Sequence, residues 1–194
     1  MGTKWLMSIA MILLASVANA QEYTSKMQVE EPKASRNFVN LRIGSTSANR
    51  NSHPEMCLEA APMTFFSVEM CGTGTGIFHT DPAPALMHVR TKIRALQVDF
   101  EDWFLTIFGG VGFAELQVGE DAPGFIFNGV GPQGVETAGP EVSAHVRALI
   151  PVFGGVDLMT ELSLSGAYLP YAPDLVTSLD PFQPAFSFTI GAGF

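Results

Sequence analysis

The sequence predicts an all-β protein, an eight-stranded antiparallel up-and-down transmembrane β-barrel, and three observations predict it. From residue 38 onward, apolar residues recur at every second position in eight separate segments, the period of a strand with one apolar face. The links between those segments alternate between short and long. Finally, the chain is 47% hydrophobic and 15% charged, yet no apolar run after residue 20 is long. A membrane-crossing helix needs about 20 consecutive apolar residues, whereas a crossing strand needs only about 9–11 with half of them facing lipid.

The first twenty residues stand apart. Lys4 supplies a positive start, residues 5–17 an apolar core, and Ala18-Asn19-Ala20 a small-x-small cleavage site. This reads as a secretory signal peptide over 1–20; a membrane anchor is the alternative, and it would need a longer core. Removing Lys4 leaves nine basic against nineteen acidic residues. So acidic a chain lacks the clustered Lys and Arg of a nucleic-acid surface. Residues 21–36 are polar, aperiodic and contain Pro32, which is expected of a flexible periplasmic lead-in. The barrel is assigned to 37–194.

Strand one is expected over 38–46, with Val39, Leu41 and Ile43 opposite Asn40, Arg42 and Gly44. Strand two (55–61) sets Met56, Leu58 and Ala60 against Cys57 and Glu59, and strand three (66–75) sets Phe66, Val68 and Met70 against Ser67, Glu69 and Cys71. Strand four (86–97) places Met87, Val89, Ile93 and Ala95 opposite His88, Arg90, Lys92 and Arg94. In strand five (103–116), Trp103, Leu105, Ile107, Val111 and Phe113 oppose Thr106, Gly110, Gly112 and Ala114. Strand six (141–152) divides into Val142, Ala144, Val146, Ala148 and Ile150 against Glu141, Ser143, His145 and Arg147. Strand seven (156–168) has Val156, Leu158, Leu162, Leu164 and Tyr168 opposite Asp157, Glu161, Ser163 and Ser165. The closing strand (184–194) alternates Phe186, Phe188, Ile190, Ala192 and Phe194 with Ser187, Thr189, Gly191 and Gly193.

Short links fall at 62–65, 98–102 and 153–155, and long ones at 47–54, 76–85, 117–140 and 169–183. Short turns at one end and long loops at the other are what a membrane barrel requires. A soluble lipocalin-like barrel shares the strand count but would turn its apolar face inward. The small polar face of the closing strand suits a crowded interior better.

If the apolar faces point outward, the opposite faces meet. They bring together Arg42, Arg90, Lys92, Arg94 and Arg147 with Glu59, Glu69, Glu141, Asp157 and Glu161. Five bases against five acids suit a narrow lumen, where charges tolerate desolvation only when paired. Folding strand six onto strand seven about Gly154 places Arg147 opposite Glu161. Folding strand four onto strand five about Phe100 places Arg90 opposite Gly110 and His88 opposite Gly112. A structural plug is the expected role of these charges, with an ion pathway as the alternative.

Cys57-x-Glu59 and Glu69-x-Cys71 mirror each other about Thr64, so a hairpin there faces cysteine to cysteine and glutamate to glutamate. A disulfide is expected in an oxidising compartment, with two buried thiols as the alternative. No His lies close in sequence to either Cys, so a metal site is not expected. The two glutamates repel unless one is protonated or both share a base such as Arg42.

Ser143-Ala-His145, with Glu141 beside it and Glu161 across, holds the ingredients of acyl transfer. Barrel-embedded lipid hydrolases, however, resemble a His-x-Ser order facing lipid, the reverse of this order and face. Gly72-Thr-Gly74-Thr-Gly76 and Gly109-Gly110-Val-Gly112 lack the Lys-Ser/Thr ending of a phosphate loop. The loop at 117–140 holds Glu120, Asp121 and Phe125-Ile126-Phe127 between glycines. It is either a binding loop or two strands running on as a hairpin. No calcium-loop spacing is present.

With its signal peptide, eight dyad-repeat strands, loop alternation and carboxy-terminal Phe194, the chain resembles small bacterial outer-membrane barrels of OmpA/OmpX-like architecture. The resemblance implies a monomer without cofactor, recognised by the barrel assembly machinery through Phe194 and surrounded by outer-membrane lipid and lipopolysaccharide. It implies a non-enzymatic role in envelope structure or in binding through surface loops. A small pore through the charged lumen, and a lipid-modifying enzyme using Ser143 and His145, are the competing expectations.

Overall fold

The computed structural model describes residues 37–48, 53–74, 81–119, 124–131 and 134–194. The signal peptide and lead-in expected over 1–36 lie outside these residues, as do Glu120 and Asp121. The barrel lies within the compact unit Ala34–Phe194.

Eight strands close into one antiparallel barrel in chain order, each paired with its neighbours and the first with the last. They are β1 (Val39–Thr46), β2 (Glu55–Met63), β3 (Phe66–Gly72), β4 (Asp81–Asp99), β5 (Phe104–Gly119), β6 (Glu136–Phe153), β7 (Val156–Tyr168) and β8 (Phe182–Gly193). One short helix, α1 (Ala172–Leu175), sits between β7 and β8. The seam is tied by Phe194, whose carbonyl accepts from Phe38 N at 2.6 Å and whose N–H donates to Val39 O at 2.9 Å.

The turns carry the chemistry that tight hairpins need. Gly154 and Gly155 have φ of +59° and +80°, the left-handed pair a two-residue hairpin demands and other residues resist. At the β4–β5 turn, Phe100 N donates to Trp103 O at 2.9 Å and the two rings stack 4.1 Å apart. Cys57 and Cys71 pair across β2 and β3, with Cα atoms 4.1 Å apart and their sulfurs bonded. Closing a loop of this size stabilises by about 3 kcal/mol in the chain-entropy picture.

β4, β5 and β6 run longer than expected, to 19, 16 and 18 residues. The segment 117–140 is therefore in part a hairpin extension, β5 continuing to Gly119 and β6 starting at Glu136. β1, β2 and β3 have only 8, 9 and 7 residues, so the wall is lower on that side.

One expected register is corrected. Arg90 pairs with Gly112 and His88 with Ala114, while Lys92 takes Gly110. The turn is centred between Glu101 and Asp102, which moves the pairing by three positions, and the bulge between Arg94 and Leu96 takes one back, a net shift of two. Because the shift is even, no side chain changes face. The β6–β7 register is as expected, Arg147 opposite Glu161.

The faces are sorted without ambiguity. Leu41, Ile43, Val111, Val142, Leu164, Phe186 and Phe194 are each about half exposed or more on the outside. Arg42, Glu59, Glu69, Arg90, Lys92, Glu141, His145, Arg147 and Glu161 are buried inside. At the level of these charges the interior is polar, while the exterior is apolar.

Candidate functional site

The barrel interior has three storeys. The middle one is a salt-bridge cluster built from β1 to β7. Lys92 Nζ, fully buried, lies 2.8 Å from Glu59 Oε2, 2.6 Å from Glu69 Oε2 and 3.2 Å from Glu161 Oε1. Arg42 reaches the same three carboxylates, at 3.0 Å to Glu59, 2.6 Å to Glu161 and in close contact with Glu69. Arg147 clamps Glu161 through Nε at 2.7 Å and also touches Glu59. Glu59 and Glu69, directly opposite each other, are thus held together by shared cations.

Arg90 extends the cluster toward the loop end, with Glu69 Oε1 at 2.7 Å and Glu141 Oε1 at 3.0 Å. His88 Nδ1 caps it, 3.0 Å from Glu141 Oε2. The Phe108 ring lies beneath Lys92 and Arg147, 5.4 Å and 4.9 Å from its centroid, adding cation–π attraction in a desolvated setting. Four cations meet four carboxylates, so no net charge is stranded. Losing one partner of such a set costs far more than the set contributes as a whole.

Two of the expected lumen charges stand apart from this cluster. Arg94, half-buried beside the bulge, donates to Gln97 Oε1 at 2.5 Å near the turn end. Asp157, one residue into β7, accepts from Asn37 Nδ2 at 2.6 Å. Strand level sets both positions. Glu55 was missed by sequence reasoning: it is buried at the first residue of β2, two positions before Cys57 on the same inward face.

The loop-end storey is apolar. Leu86, Ala114, Leu116, Ala167, Leu169, Ala172 and Ala185 form one buried cluster, with α1 contributing Ala172. No periodicity in 169–183 signalled this cover. Together the cluster and the charges leave the interior occupied by side chains at two successive levels.

Ser143, His145 and Glu161 are brought together as a relay. His145 Nε2 lies 2.9 Å from Ser143 Oγ, and its Nδ1 lies 3.1 Å from Glu161 Oε1. Gly110 makes room, since a Cβ there would stand 2.3 Å from Ser143 Oγ. The geometry is that of a nucleophile, a base and an orienting acid. Yet Glu161 already serves Arg42, Lys92 and Arg147, which drains its capacity to stabilise an imidazolium. The hydroxyl also points into the lumen, away from the apolar exterior. Glu69, His145 and Glu161 bring ligand atoms within 4.8 Å of one another, but the cations already hold both carboxylates, so the trio does not fit a metal.

Comparison of the chain with protein-family models, with curated proteins and with solved structures gives no match in any of the three.

A second feature lies outside the lumen. Residues 124–131 fold back on the extended β5–β6 hairpin. Gly124 N donates to Glu115 Oε1 at 3.2 Å and to Glu136 Oε2 at 2.9 Å, and Phe125 N donates to Glu115 Oε2 at 3.0 Å. Phe125 takes the left-handed φ of +51° to reach this position, and Phe127 packs edge-on against Phe113 at 5.0 Å. Glu115 lies past the end of the outward apolar stripe of β5, Leu105 to Phe113, beyond the 9–11 residues that a crossing needs. Burial and the hydrogen bond that its protonated carboxyl donates to Glu136 push Glu115 up to about 7.

Proposed function

We propose that this chain is a non-enzymatic outer-membrane β-barrel whose lumen is closed by side chains and whose outer loops serve envelope structure or binding. The observation that carries the proposal is the inverted distribution of polarity: a ring of buried ion pairs inside, and half-exposed Leu, Ile, Val and Phe outside on every strand. A soluble barrel with that exterior would expose an apolar belt far larger than monomers tolerate, whereas lipid accepts it and demands that the strands close without edges. The signal-like first twenty residues and the terminal aromatic agree with export and assembly in an outer membrane, with lipid and lipopolysaccharide as its surroundings and the barrel assembly machinery as its transient partner.

The closed-lumen part of the proposal rests on the two occupied storeys. Eight strands enclose a space just wide enough for side chains to fill. Here a neutral charge cluster and an apolar cover fill it in series, which favours a plug over an ion pathway.

The test is refolding of residues 21–194 from urea into lipid vesicles. A heat-shifted gel band protected from trypsin is expected, and Leu164→Arg on the outer face should reduce folding by about 2–4 kcal/mol if it sits near the midplane. A water-soluble, monodisperse barrel without lipid would refute the proposal.

A further inference from the structure

The turn-end storey of the lumen is a cavity of about 270 Å³, with Phe66, Phe104 and Phe108 among its walls. At the opposite end of the barrel, part of the outer wall is covered. Alternation with the exposed Phe113 and Val142 points the side chains of Glu115, Glu136 and Ala138 outward. All three are nevertheless buried, because residues 124–131 lie against them.

The cover is firmly fastened. Ala138 N donates to Ile126 O at 2.7 Å, Gly131 N to Glu136 O at 2.9 Å and Thr137 Oγ1 to Gly129 O at 2.9 Å. These add to the bonds from Gly124 and Phe125 to the two carboxylates. The fit requires glycine on both sides of Glu136: a Cβ on Gly124 would stand 2.6 Å from Glu136 Oε1, and one on Gly131 would stand 2.6 Å from its Cγ. A segment held this closely still leaves Phe127 and Val130 exposed, at 41% and 38%. Phe127 packs edge-on against Phe113, which ends the outward apolar stripe of β5. Outward aromatics stand at this end of β7 and β8 as well, where Tyr168 and Phe182 pair with each other and are both more than half exposed.

We propose that residues 124–131 are a lipid-interface anchor, a shelf that lays Phe127 and Val130 among the acyl chains of the loop-end leaflet, just below its headgroups.

The proposal rests on the membrane reading of the barrel and names the partner of one loop. Apolar residues scattered singly on a surface need no explanation. These two instead continue the outward apolar belt, on a segment whose fastening to β5 and β6 hides the acids beneath it. The segment reads Gly-Phe-Ile-Phe-Asn-Gly-Val-Gly and carries no charge, so it offers no ionic partner to a lipid phosphate or to a charged peptide. Acyl chains are the occupant it fits. Aromatic rings suit the edge of the hydrocarbon, where one side meets chains and the other meets polar groups. Backbone at that depth must have its polar groups paired. The bonds to β5 and β6 pair the N–H groups of Gly124, Phe125 and Gly131 and the carbonyls of Ile126 and Gly129.

The test uses residues 21–194 refolded into phosphatidylcholine vesicles. Trp5 and Trp103 are the two tryptophans of the chain, so Trp103→Phe gives a background without one. Into it go Phe127→Trp on the shelf or Leu164→Trp on the outer belt, each scored only where a heat-shifted band shows a closed barrel. Phe127→Trp is expected to lose most of its emission when the lipid chains are brominated near the glycerol, and less when bromine lies near the chain ends. Leu164→Trp should be quenched in brominated lipid as well. Quenching of Leu164→Trp without quenching of Phe127→Trp would overturn the anchor and leave the membrane barrel standing. Quenching at neither position would overturn the membrane reading and the anchor with it. If Phe127→Trp does not fold, Val130→Trp decides by the same comparison.

Discussion

Replacing Lys92 with methionine isolates the electrostatic work of the lumen. The side chain keeps nearly its volume and its place over Phe108, so the cavity contribution is small and the missing charge dominates. Three carboxylates lose a partner, at 2.8, 2.6 and 3.2 Å. None is orphaned: Glu59 and Glu161 keep both Arg42 and Arg147, and Glu69 keeps Arg42 and Arg90. The balance, however, becomes three cations against four acids in a space that water does not fill. Breaking a buried pair by removing one partner costs about 3–5 kcal/mol, and the remaining arginines place this case near the lower figure. Adding Glu69→Gln restores three against three, and the double variant should regain about 2 kcal/mol of the loss. Urea unfolding in vesicles, followed by Trp103 fluorescence at constant m-value, measures both. A single variant within about 1 kcal/mol of the parent, or a double variant less stable than the single, would show that the cluster is not charge-balanced as described.

Two further outcomes follow from the sites around the cluster. The Glu115 carboxyl is raised to about 7 in the folded barrel against about 4.3 unfolded. Its contribution is therefore complete below about pH 4 and is lost as pH rises through 7. Residues 124–131 should loosen over that upper range, seen as hydrogen exchange at Gly124 and Phe125 that outpaces the intrinsic base-catalysed rise, and Glu115→Gln should flatten the response; a parent profile that already follows the intrinsic rate would contradict it. Ser143, hydrogen-bonded to His145 but facing a lumen whose Glu161 is saturated by cations, should stay unmodified by a fluorophosphonate probe under conditions that label a serine hydrolase. A Ser143 adduct in intact-mass analysis would reinstate the acyl-transfer reading.

Most of the barrel was legible because a strand's side-chain period is strict. Once Phe186, Phe188 and Ile190 alternate with Ser187 and Thr189, face assignment follows, and the mirror of Cys57-x-Glu59 with Glu69-x-Cys71 brought the hairpin register with it. Hidden were the features that break the period. Neither the turn centre after Glu101 nor the bulge beside Arg94 was located from the sequence, so the β4–β5 register was displaced by a net two residues while its faces held. Strand level is equally silent, which is why Arg94 and Asp157 were grouped with charges that they do not meet. Glu136 lies in what looked like loop, because β6 begins before its apolar alternation does, so nothing marked it as the neighbour of Glu115 at the end of the expected strand five. The relay of Ser143, His145 and Glu161 was visible as ingredients, and the expected β6–β7 register already set Arg147 against the same acid; what stayed hidden was that Arg42 and Lys92 reach it too.

The closed lumen is tested most directly by ion conductance in a planar bilayer, on protein whose heat-shifted mobility shows a closed barrel. The account predicts silence from the parent chain, since the charge cluster and the apolar cover block the interior in series. Steady channels whose conductance changes in Arg90→Ala or Glu161→Ala would contradict it, and would make the row of buried charges a pathway instead of a plug.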